Sequence, residues 1–188
     1  MKKLNILISI LALAVTLSAF TEPESKFQST KTHVKFFSHT AVEDIEANNH
    51  AAVSTIDPAT GDVVFSIPMQ GFEFDIAMMQ KHYNSDKFLD TKKYPKAKLK
   101  AKITNLSEID FSKDGSYQAY IEGEITIKGI AKPISEKGTI IVKGNKINIE
   151  SKFNITLADH GITFIKGKPA SNIAKTVEVS VQAEYQTK

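Results

Sequence analysis

The sequence predicts an all-β domain, about eight antiparallel strands closed into a single barrel, on three observations. After residue 20 the apolar residues recur with period two. β-branched and aromatic residues fill the runs between short Gly, Asn and Asp turns. No repeat, low-complexity tract or linker divides the chain, so residues 21–188 form one domain of ordinary size. An open sheet of that many strands exposes two edges, and closure removes them.

The start stands apart. Met1-Lys2-Lys3 precedes an apolar run from Leu4 to Phe20, and Thr21-Glu22-Pro23-Glu24 is polar again. This is the pattern of a signal peptide, residues 1–20, with cleavage expected within 18–21; Asn5, Ser9, Thr16 and Ser18 make the run a poor match to the roughly 20 apolar residues of a spanning helix. The protein is therefore expected to be exported, to a periplasm or as a secreted protein.

The strands follow in order. The first runs near Thr32 to Thr40 with Val34, Phe36 and Ser38 on one face. The second covers Ile45 to Ile56, with Ala47, Ala51 and Val53 inward. Asp57-Pro58-Ala59-Thr60-Gly61 is a turn, because Pro58 presets φ and Gly61 accepts a positive φ. A third strand spans Asp62 to Met69 and places Phe65. Helical spacing of Phe74, Met78 and His82 after Asp75, a candidate N-cap, predicts one or two helical turns over Phe74 to Tyr83. Further strands lie at Lys96 to Thr104, Tyr117 to Lys128, Gly138 to Lys143, Lys146 to Leu157 and Thr176 to Gln186. Asp114-Gly115 and Gly144-Asn145 are hairpin signals between them.

Composition narrows the function. No cysteine is present, which removes disulfides, thiolate metal sites and thiol nucleophiles. Every basic residue is a lysine, so the guanidinium forks favoured by nucleic-acid readers are missing and no nucleic-acid partner is expected. Loss of Lys2 and Lys3 with the leader leaves 22 lysines against 21 acidic residues. The five histidines lack the convergence a metal needs; His33 and His39 share one strand face, and His50, Asp44 or Glu46 could add a ligand only in the right register. No glycine pattern of a nucleophile elbow frames Ser85 beside His82 and Asp86. No catalytic residue, metal or cofactor is assigned, and the protein is expected not to be an enzyme.

Several inward faces are small. Ala97, Leu99, Ala101 and Ile103 alternate with Lys96, Lys98, Lys100 and Lys102; Ala119, Ile121, Gly123 and Ile125 share a face on the next strand. Native interiors fill to crystal-like density, so a barrel with such residues inside either receives Phe36, Phe65 and Phe153 across its core or holds an apolar ligand. Phe72, Phe74, Met78 and Met79 form an apolar cluster that either closes the core or covers that ligand. The outward lysines protect an edge, or approach an anionic membrane surface.

At specific positions the chain resembles a known family. His82 to Pro95 (HYNSDKFLDTKKYP), Gly123 to Ile134 (GEITIKGIAKPI) and Asp159-His160-Gly161-Ile162 are similar to motifs of the YceI-like family of exported polyisoprenoid-binding proteins, and Thr32, Val34 and Phe36 fall where its first strand does. The resemblance spans residues 27–185. It implies a lipocalin-like barrel around a long apolar pocket that holds an isoprenoid lipid or quinone, with no catalysis. The pocket set is then Val34, Phe36, Ala51, Val53, Phe65, Phe72, Phe74, Met78, Met79, Phe88, Leu89, Ala97, Leu99, Ala101, Ala119, Ile121, Gly123, Ile125 and Phe153. His82 and Asp86 fall at its mouth, where His82 could meet a polar head or fix the loop through Asp86 or Asp90. The partners expected are an apolar lipid and, transiently, a membrane surface; the oligomeric state stays open, a homodimer included. The alternative is a filled barrel that binds a partner, or protects under stress, through its surface.

Overall fold

In the computed structural model, residues 26–163 and 172–186 are described; the expected leader lies outside them. Ten strands form one antiparallel sheet: β1 (Phe27–His39), β2 (Asp44–Asn49), β3 (Val53–Ile56), β4 (Asp62–Pro68), β5 (Phe72–Glu73), β6 (Lys96–Ile103), β7 (Gly115–Ile127), β8 (Ile130–Lys143), β9 (Lys146–Thr156) and β10 (Thr176–Gln186). The helix α1 (Ala77–Asn84) joins β5 to β6.

The sheet closes where β10 pairs with β1, Phe36 facing Val179. β2 and β3 lie end to end along the other side of β1, with Ala47 opposite Phe36 and Ile56 opposite Phe27. Together they supply one interrupted barrel strand, and β5 is a short addition to β2. The barrel therefore has eight strands, as the periodicity predicts. Lys143 and Lys146 close the predicted two-residue turn at Gly144-Asn145, and Gly144 takes φ +58°.

Three local expectations are corrected. Asp114-Gly115 is not a compact hairpin; Asp114 instead accepts a hydrogen bond from the Gly144 N–H at 2.7 Å. The tight turn is Lys128-Gly129, where both residues adopt the positive φ that a two-residue hairpin requires. Asp75 does not cap α1; the cap position is Ile76, with no side-chain bond. The lysines of β6 do face solvent in strict alternation with buried residues. They protect no edge, because β6 is paired with β4 on one side and β7 on the other.

Two apolar clusters hold the barrel. At the floor Ile56, Ile103, Ile140, Ile147 and Tyr185 pack tightly. At the roof, beneath α1, Val34, Ala47, Met69, Phe72, Tyr83 and Leu89 pack together. Deep in the floor the Tyr185 hydroxyl lies 2.6 Å from the Ser54 hydroxyl. Burial pushes Tyr185 from the ordinary 10.0 up to about 12, with the Ser54 bond acting the other way. A raised tyrosine pKa means that the neutral form stabilises the fold. That contribution is complete below pH 10.0 and is lost as pH rises toward about 12. Urea unfolding of Tyr185→Phe is expected to show a loss of about 1 kcal/mol at neutral pH and a flatter decline through the alkaline window. An unchanged alkaline slope would contradict this.

Candidate functional site

Between the two clusters lies a cavity of about 770 Å³, within the roughly 300–1,000 Å³ range of ligand pockets. Strand alternation builds its wall. β1 contributes Val34 and Phe36; β4 Phe65; β6 Ala97 and Leu99; β7 Ala119, Ile121 and Ile125; β9 Phe153. Phe72, Phe74, Met78, Met79, Phe88 and Leu89 form the roof. Several wall residues, among them Ile121, Ile125 and Phe153, are only half-buried although they point inward. What they are exposed to is the lumen, so the large side chains do not fill it.

Four of the predicted lining residues lie elsewhere. Ala51 and Val53 are exposed, because the chain breaks between β2 and β3. Asn49 is fully buried; its side-chain carbonyl accepts from the Ala51 N–H and its amide donates to the Pro68 carbonyl. This Asx turn shifts the alternation by one residue, so Ala52 and Ser54 point inward instead. Ala101 is buried in the floor cluster, off the cavity wall. Gly123 sits opposite Ala101, where any Cβ would collide with the β6 backbone. Its lack of a side chain makes room for a neighbouring strand, not for a ligand.

The sequence reading also missed residues. Tyr83 is the buried residue of α1, and four rings surround it: Phe74 at 5.0 Å, Phe72 at 5.7 Å, Phe36 at 5.8 Å and Phe88 at 6.1 Å between centroids. Desolvation there holds its phenol neutral well beyond the ordinary range. Val177, Val179 and Val181 of β10 also line the lumen. Their alternation is plain in Thr176 to Gln186 and could have identified them.

Among the described residues, the charged groups on the wall are Glu43, Lys87 and Lys137, with His82 at the mouth. Glu43 accepts from the Asn172 amide at 2.8 Å, fastening the β1–β2 turn to the approach of β10. His82 is exposed at the mouth, whereas Asp86 is exposed and off the wall. The carbonyl of His82, rather than its ring, fixes the next loop, accepting from the Ser85 hydroxyl at 2.7 Å. The Ser85 hydroxyl is thus engaged with a backbone carbonyl rather than with a side chain of His82 or Asp86. The other histidines do not line the cavity. His33 stacks on His50 at 4.5 Å, His39 bonds Asp44 at 2.6 Å, and His160 is buried with Nδ1 donating to the Ile130 carbonyl. Among the described residues no three His, Asp or Glu side chains are grouped to hold a metal.

The sequence model of the YceI-like domain matches residues 23–185. A UPF0312 protein of Pseudomonas putida is 28% identical over 116 residues, which are 58% of this chain and 55% of that protein. The chain thus spans little more than half the length of that curated relative. Among solved structures, a polyisoprenoid-binding domain from Saccharophagus degradans superposes with a TM-score of 0.74 at 12% identity, covering 86% of this chain and 98% of that one. BcnA of Burkholderia cenocepacia superposes with a TM-score of 0.67 at 19% identity, over 81% and 95% of the two chains. At these identities the superpositions establish the shared fold.

Proposed function

The chain belongs to the YceI-like family, and on that premise we propose that it is an exported carrier that holds an isoprenoid or similar apolar chain inside its barrel for sequestration or transport. The observation that carries this reading is the apolar cavity of about 770 Å³ enclosed by the strands. Polyisoprenoid binding by the structurally similar Saccharophagus degradans domain supports the choice of ligand class, and the leader pattern supports export.

Burial alone can supply the affinity. At about 25 cal/mol per Å², a chain that loses a few hundred Å² of apolar surface gains several kcal/mol before the cost of immobilising it. The roof rim suits delivery from a membrane: Ile76 and Met78 line the cavity yet remain 52% and 57% exposed, and Val42 is 65% exposed. These side chains would touch a bilayer transiently during loading. Delipidated protein is expected to take up added geranylgeraniol or ubiquinone with micromolar or tighter affinity, about 8 kcal/mol, as read by retention on gel filtration. No retention of either lipid would remove the reading.

A further inference from the structure

β8 and β9 lie side by side for only the floor half of their length. They pair from Lys143 and Lys146 to Gly138 and Ser151. Beyond that fork Ile130 to Lys137 keeps β7 on one side and Lys152 to Thr156 keeps β10, and among the described residues the two stretches do not pair with each other. The residues at the fork account for the parting. Gly138 comes so close to β9 that a Cβ would lie 2.8 Å from the Glu150 carbonyl oxygen. The next acceptor, the Lys137 carbonyl, takes the Ser151 hydroxyl at 2.7 Å in place of a ladder N–H.

Further along, the closing pair Ile127 and Ile130 sets an alternation that turns the backbone groups of Ala131, Pro133 and Ser135 away from β7 and toward the gap. Pro133 has no N–H to leave unpaired there. The roof end of the gap is tied by the bond from His160 to the Ile130 carbonyl. The result is a slit bounded at both ends.

The fork stands between two spaces. Lys137, Gly138 and Ser151 line the main cavity on the inside and an outer depression of about 380 Å³ on the outside. The inner wall beside them is Phe153 and Ile155. The outer wall is polar, with Gln118, Thr139, Ser180 and Gln182. Lys152 there is paired with Glu178 at 2.9 Å, and Glu150 offsets Lys137. Such a rim fits an uncharged hydrogen-bonding group better than a phosphate. An open strand edge could also receive a partner strand, but Pro133 and Lys137 are poor hosts for one.

We propose that the slit between β8 and β9 is a second opening of the lumen, where the hydroxyl or carbonyl head of an amphiphile meets solvent while its apolar chain lies inside. This rests on the lipid-binding reading above. The apolar roof rim then faces the membrane, and the head emerges through the side wall.

The chain contains no tryptophan, so Lys137→Trp and Lys87→Trp each carry a single indole, one at the slit and one at the roof. The probe is a geranylgeranyl chain with a nitroxide in place of its head, and its isomer with the nitroxide at the far end. The head-labelled probe is expected to abolish emission at position 137 and spare position 87. Quenching confined to position 87 by the head-labelled probe would overturn the proposal. A probe retained on gel filtration that quenches neither indole would also overturn it, with the lipid reading intact. Failure of every form, wild type included, to retain either probe would end both.

Discussion

Gly123→Ala is expected to lower the melting temperature by roughly 6–12 °C, about 3 kcal/mol, although it adds a single carbon. At Gly123 the backbone of β7 runs close against that of β6. A Cβ there would lie 2.2 Å from the Lys100 carbonyl oxygen and 2.5 Å from the Ala101 Cα. Both atoms are backbone, and β4 holds them in register from the other side through Val63 opposite Ala101 and Val64 opposite Lys100. No side chain can swing aside to absorb the collision, so one strand must move and part of the ladder is lost. Thermal unfolding followed by circular dichroism measures the cost. A shift below about 2 °C would show that the strands are not so tightly apposed.

The double substitution Ile125→Trp with Ile149→Trp is expected to leave stability within about 1 kcal/mol of wild type while weakening prenyl-lipid uptake at least about tenfold. Both isoleucines face the cavity and are only half-buried, so the added rings enter empty lumen rather than packed core. This pair separates a hollow barrel from a filled one. In a filled barrel the same change overpacks the interior, costing about 1–3 kcal/mol, and has no lipid uptake to reduce. Unchanged uptake with unchanged stability would place the ligand outside the lumen.

The strands were legible because water lies on one face of each and apolar packing on the other. Lys96 to Ile103 alternates without exception, and its burial follows that alternation residue by residue. The interruption between β2 and β3 was not legible from hydrophobicity, since Ala51-Ala52-Val53 is uniformly apolar where the alternation changes phase. The cause is the buried side chain of Asn49, which bonds the backbone two residues on. Asn48-Asn49 was the available hint, as a pair of turn-forming residues.

Small residues on an inward face are ambiguous for a different reason. Ala97 and Ala119 leave space in the lumen, whereas Gly123 leaves space for another backbone, and sequence alternation treats them alike. Tyr83 escaped attention because the helical spacing of Phe74, Met78 and His82 drew the expected apolar face elsewhere. Only the fold shows that four phenylalanines from three segments converge on its ring. The slit between β8 and β9 depends on where a ladder stops, and Pro133 was its one local trace in the sequence.

The central claim is that the lumen carries an apolar chain. It is tested most directly by mass spectrometry of a mild organic extract of the protein purified from its own cells without detergent. A prenyl-chain lipid recovered in near-stoichiometric amount from wild type, and lost from the Ile125→Trp, Ile149→Trp variant, is the predicted result. Repeated recovery of no lipid from wild type, with no uptake of added geranylgeraniol or ubiquinone, would contradict it.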